Sequence, residues 1–151
     1  MFVANENDFE YRFGDSGPKY LMRGPRMNYA MVQFQPGQDF HAHYHNVMEE
    51  NFHILAGRVD VVVDGVVNTL GPGDFIHIEP GEVHYVNNRY DETLLMVSTL
   101  APYQESDKVE VDNPVSPLGF ANPSCIVRDP KTGELTGMNE VMSPWAGGAA
   151  Q

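Results

Sequence analysis

Four of the chain's six histidines fall in HAHYHNVMEENFH, residues 41–53, beside the adjacent acids Glu49 and Glu50. Neutral imidazoles and carboxylates are the ligands of divalent transition metals. In an extended strand, residues two apart point to one face. His43 and His45 are then neighbours, about 6.6 Å apart at a rise of roughly 3.3 Å per residue. Their rings can lean onto one ion at about 2.0–2.1 Å, while Tyr44 points away. After the turn NVME, a second strand presents Glu50, Phe52 and Ile54 on one face, with Asn51, His53 and Leu55 on the other. Glu49 is the competing carboxylate. A fourth ligand is on offer in GDFIHIEPGEVHYVNN, where His84 follows the turn EPG. Three imidazoles and a carboxylate suit Zn, Fe, Mn, Ni or Co and leave positions open for water or substrate. Such an open site is catalytic in type, whereas structural sites are closed.

Short β-prone runs carry these residues. Between about residues 27 and 101 they are MNYAMVQF, ENFHILA, RVDVVVD, VVNTL, DFIHI, EVHYV and ETLLMVSTL, separated by Gly, Pro, Asn and Asp. Many short strands with frequent turn signals indicate an antiparallel sandwich or barrel. Asp64-Gly65 is the clearest hairpin signal, because a type I′ turn requires positive φ at both central residues. No window has a long 3.6-residue apolar rhythm with caps. The chain thus reads as one all-β domain in three parts. Residues 1–26 form an N-terminal arm of one or two strands (FEYRF, KYLMR), 27–102 the barrel, and 103–151 a proline-rich, loop-like extension. The extension is expected to dock on the barrel or on a partner subunit through Leu118, Phe120 and Trp145.

The spacing resembles the two cupin motifs. Gly37, His43, His45, Glu50 and Gly57 match the first, G-x5-H-x-H-x3,4-E-x6-G. Gly73, Gly81, His84 and Asn88 match the second, G-x5-P-x-G-x2-H-x3-N, except that Glu79 replaces the proline and Pro80 follows it. The shift is expected to alter the turn without moving His84. The resemblance covers roughly residues 28–101 and implies a single-domain jelly-roll barrel. It implies that His43, His45, Glu50 and His84 ligate one divalent metal inside that barrel, and that the protein forms a homodimer. The interval to Gly57 favours Glu50 over Glu49. The family holds isomerases, lyases, cyclases, dioxygenases and binding proteins, so the resemblance leaves the reaction open. The longer pattern is also similar to small cupins that include aromatic-polyketide cyclases and sugar isomerases.

Around the site, His77 is a candidate general acid/base or extra ligand, with an outer-face position as the alternative. His41 is read as a rim or solvated histidine, His53 as structural or interfacial, and Asn88 as a turn brace. Met31, Phe34, Phe52, Phe75 and Met96 are candidates to line a pocket, and Tyr29, Tyr44 and Tyr85 to present hydroxyls. The leading functional expectation is non-redox chemistry on a small oxygenated metabolite: isomerisation, elimination or cyclisation. An Fe(II) or Ni(II) dioxygenase and a binding module without turnover are the alternatives. A net charge of −12 argues against nucleic acid and anionic membranes as partners. The single Cys125 excludes an internal disulfide, and a cytoplasmic setting is expected. No signal peptide is legible in MFVANENDFEYRF.

Overall fold

The computed structural model describes residues 1–111, 124–128 and 135–139 of the chain. Two five-stranded antiparallel sheets make up the unit Met1–Pro114. The first sheet has the order β1 (Gly17–Arg23), β2 (Asn28–Phe34), β9 (Leu94–Ala101), β4 (Glu49–Ala56), β7 (Phe75–Ile78). The second runs β10 (Lys108–Glu110), β3 (His43–His45), β8 (His84–Asn87), β5 (Val59–Val63), β6 (Val66–Leu70). In a separate unit, Val115–Gln151, β11 (Ser124–Arg128) pairs with β12 (Leu135–Asn139). No helix among the described residues is long and apolar enough to cross a membrane.

Strand alternation builds the interior. In β9, Leu94, Met96, Ser98 and Leu100 are buried, and their neighbours in between are half-buried. In β4, Glu50, Phe52 and Ile54 are buried while His53 and Leu55 are exposed. Ala30, Val32 and Phe34 from β2, Val59 and Val61 from β5, and Val86 from β8 complete the core. Fully burying each large aliphatic side chain is worth about 1.5–3 kcal/mol, so this interior dominates the unit's stability. The Asp64-Gly65 turn joins β5 to β6 with φ of 46° and 81°, the two positive values a type I′ hairpin needs.

KYLMR forms the strand expected of it, within β1 at an edge of the first sheet. Two other features differ from the sequence reading. FEYRF forms no strand. Tyr11 makes only an isolated bridge to Gly14, and the Phe13 N–H donates to the Ser16 carbonyl, folding this segment into a tight loop. The barrel also extends past residue 102, because β10 pairs with His43–His45. The expected anchors Leu118, Phe120 and Trp145 lie outside the described residues.

Candidate metal centre

β3 and β8 place His43 directly opposite His84, with ring centroids 4.4 Å apart. His45 follows two residues along β3 on the same buried face. β4, in the facing sheet, points Glu50 at all three. The Glu50 Oε2 lies 3.1 Å from His84 Nε2, 3.3 Å from His45 Nε2 and 3.7 Å from His43 Nε2. One ligand atom from each of the four residues lies within 4.8 Å of the others, and all four residues are buried.

Neighbouring groups aim these atoms. His43 Nδ1 faces the His41 carbonyl and His84 Nδ1 the Glu82 carbonyl, each at 2.9 Å. Donation to those carbonyls fixes the tautomer that leaves each Nε2 a free lone pair. The Ser98 hydroxyl donates to Glu50 Oε1 at 2.9 Å and turns Oε2 toward the imidazoles. His45 Nδ1 faces Asp107 Oδ2 at 3.8 Å, beyond hydrogen-bond range, and neither ring nitrogen of His45 has a hydrogen-bond partner. Asp107 is itself fixed by the Val47 and Met48 N–H groups.

Burial pushes the His43 pKa down, against the raising effect of Glu50. Burial also opposes ionisation of Glu50, but the three imidazoles that face it outweigh burial and hold the carboxyl well below its usual range. A carboxylate oxygen and three imidazole nitrogens thus converge on one point. A cation between them would satisfy these buried electron-rich atoms. The residues therefore fit a divalent metal of the kind their ligand types suggest.

A cavity of about 100 Å³ opens from this centre. Val32, Phe52, Val86, Met96 and Leu100 supply its apolar wall, and Tyr20, Ser98, Arg12 and Lys108 its remaining polar groups. Tyr20 is a group that sequence reasoning did not single out. Its phenol pKa is raised, chiefly by burial.

Other expectations need correction. His77 does not reach the cavity: it pairs with Asn51 on the outward face of β4 and β7, because both share the strand parity opposite to Glu50. There its Nδ1 meets Asn51 Oδ1 at 2.7 Å and its Nε2 meets Glu79 at 3.1 Å, in a solvent-exposed setting. Phe75 shares that parity and is exposed, and Met31 alternates with the cavity-lining Ala30 and Val32, so neither lines the cavity. Phe52 and Met96 do, while Phe34 packs edge-to-face on Phe40 in the core. Tyr29, Tyr44 and Tyr85 are not among the lining residues. His41 is exposed in an outer cleft, and His53 is exposed on the outer sheet face.

The second motif works through its turn. In Glu79-Pro80-Gly81-Glu82, proline precedes a glycine with φ of 90°, and the Glu82 N–H donates to the Glu79 carbonyl, the pattern of a type II turn. The glutamate in the usual proline position accommodates this, since its N–H is held by the Glu82 side chain at 2.7 Å. Asn88 is fully buried. Its amide donates to the Phe34 and Glu92 carbonyls and its oxygen accepts from the Tyr90 N–H, so it does brace the surrounding loops.

The profile of the cupin domain family matches residues 30–100. Comparison with curated proteins gives no match. Among solved structures, an RmlC-like cupin from Shewanella frigidimarina aligns at 22% identity and a TM-score of 0.60, over 70% of this chain and 93% of its own. The polyketide cyclase RemF from Streptomyces resistomycificus aligns at 18% identity and 0.64, over 78% and 89%. The nucleoside dehydratase Pac13 aligns at 20% and 0.58, over 74% and 91%. At these identities the likeness is one of fold. Sheet order, both motifs and the family match agree, and residues 30–100 form a cupin domain.

Proposed function

We propose that the protein is a metal-dependent cupin enzyme that performs non-redox acid–base chemistry, elimination, isomerisation or cyclisation, on a small oxygenated metabolite. The observation that carries this reading is the convergence of His43, His45, Glu50 and His84 beside a cavity that is also lined by a half-buried tyrosine. His43, His45, Glu50 and His84 would hold a divalent ion there, and when bound it would supply Lewis-acid polarisation of a carbonyl or hydroxyl oxygen.

The chain's own residues divide the remaining work. Ser98 keeps Glu50 oriented, and the apolar wall excludes water, which strengthens every electrostatic contact inside. Tyr20 lines the same cavity, and its phenol, which burial makes harder to ionise, stays protonated at neutral pH. Its hydroxyl is placed to hydrogen-bond a leaving or enolic oxygen. His77 has no part in this scheme. Fold relatives that include a polyketide cyclase and a nucleoside dehydratase are compatible with cyclisation or elimination.

The test is anaerobic incubation of the Zn- or Co-loaded protein in D2O with a panel of oxo acids, hydroxy acids and sugars, followed by NMR. The expected result is deuterium incorporation or water loss with at least one compound, absent in His84→Ala. No turnover there, with stoichiometric oxygen consumption by the Fe(II)- or Ni(II)-loaded protein in a parallel incubation under air, would instead establish the dioxygenase reading.

A further inference from the structure

The metal-centre cavity is too small to enclose a metabolite of ordinary size. Its volume is about 100 Å³, while small-molecule sites typically run to roughly 300–1,000 Å³. It therefore receives only the reacting end, and the rest of the substrate lies further out. Arg12 stands at that exit, lining the inner cavity, an adjoining cleft of about 510 Å³ and a third hollow beside Tyr20 and Arg23.

The loop that carries Arg12 is fastened over the opening. The Arg12 N–H donates to the Pro18 carbonyl, and Phe13 and Gly14 close the turn. Among the described residues no carboxylate lies within 4 Å of the Arg12 guanidinium, whereas Lys108, the other cation on the wall, is paired with Glu110 at 3.1 Å. The adjoining cleft also carries Asp39 and Glu110, so the positive excess is confined to the inner wall, where Arg12 and Lys108 meet one carboxylate. Among the described residues that carboxylate is Glu50, which already faces three imidazoles. With a divalent cation bound, the formal charge of the inner wall is positive.

We infer that the substrate is an anion, with a carboxylate or phosphate held by Arg12 at the mouth while its oxygenated reacting end faces the histidine cluster. A guanidinium fork matches either group bidentately, and net positive charge on the inner wall draws an anionic group toward it. This inference rests on the proposed reading of the cavity as a metal-dependent site and names its substrate class.

The experiment uses the full chain loaded with Co(II). Metal content is measured first by elemental analysis in the wild type, Arg12→Gln and Arg12→Lys. Pyruvate, inorganic phosphate and the uncharged methyl pyruvate are then titrated by calorimetry. All three proteins are expected to bind one equivalent of metal. The wild type is expected to bind pyruvate or phosphate and to prefer pyruvate to its ester. Arg12→Gln should lose at least tenfold in affinity for the preferred anion with no change toward the ester, and Arg12→Lys should recover part of the loss. Preference for pyruvate alone or for phosphate alone identifies which anionic group the site takes. Equal affinity for acid and ester, unchanged anion binding in Arg12→Gln, or no anion binding by the metal-loaded wild type would overturn the inference while leaving the metal site standing. Absence of metal from the wild type would overturn the underlying reading itself.

Discussion

Ser98 gives the sharpest test of how the centre is assembled. It is 4% exposed, and its hydroxyl is the donor to Glu50 Oε1, at 2.9 Å. Ser98→Ala removes that donor without adding volume. A hydrogen bond to a charged group is worth about 1.5–3 kcal/mol. Loss of a partner that orients a metal ligand usually lowers metal affinity by roughly 10–100-fold. At about 1.4 kcal/mol per tenfold, the second figure is about 1.4–2.8 kcal/mol, so the two estimates agree. The Kd for Zn(II) or Co(II), read by competition with a chromophoric chelator, should therefore rise by about one to two orders of magnitude. Ser98→Thr keeps the hydroxyl and should stay close to the wild type. A folded Ser98→Ala protein with a Kd within about twofold of wild type would refute the view that Glu50 is positioned through this bond.

Two further perturbations follow from the same structure. Ile54 is fully buried between the sheets, so Ile54→Ala should cost about 2–5 kcal/mol in urea-induced unfolding of the metal-free protein. A loss below about 1 kcal/mol would mean that the sandwich interior is not packed as described. Tyr20 has a raised phenol pKa, so the folded state favours its neutral form, and the resulting stability is intact below pH 10.0 and lost as pH climbs through the folded value. Tyr20→Phe should therefore flatten the alkaline fall in stability and delete one late-ionising phenol from a spectrophotometric titration. Loss of a phenol that titrates together with the exposed tyrosines, and not after them, would place Tyr20 in solvent.

The parts of this architecture that were legible in the sequence are those set by local rules. Period-two alternation placed Glu50, Phe52 and Ile54 on one face, and the positive-φ requirement found the Asp64-Gly65 turn. The spacing of His43, His45, Glu50 and His84 likewise anticipated their convergence. Parity alone did not say which face of β7 turns inward. His77 and Phe75 were therefore open until the register against Asn51 and His53 resolved them. FEYRF alternates like a strand, but the positive φ of Gly14 and Gly17 bends the chain back on itself. Ser98 sits in an apolar run that reads as core, with no nearby residue to betray its partner 48 positions away. Arg12, Tyr20 and Lys108 reach the cavity from separate segments at the two ends of the barrel sequence, and no motif joins them.

The centre draws its groups from both layers of the sandwich: three from strands β3 and β8 of one sheet, and Glu50 from β4 of the other. An ion gripped by all four is then a rivet through the two layers. Its occupancy adds to the free energy of the fold by mass action, about 4.1 kcal/mol at a free concentration 1,000 times Kd. Under the proposed reading, metal starvation would loosen the two-sheet unit as well as empty its site, tying the lifetime of that fold to the supply of a cation.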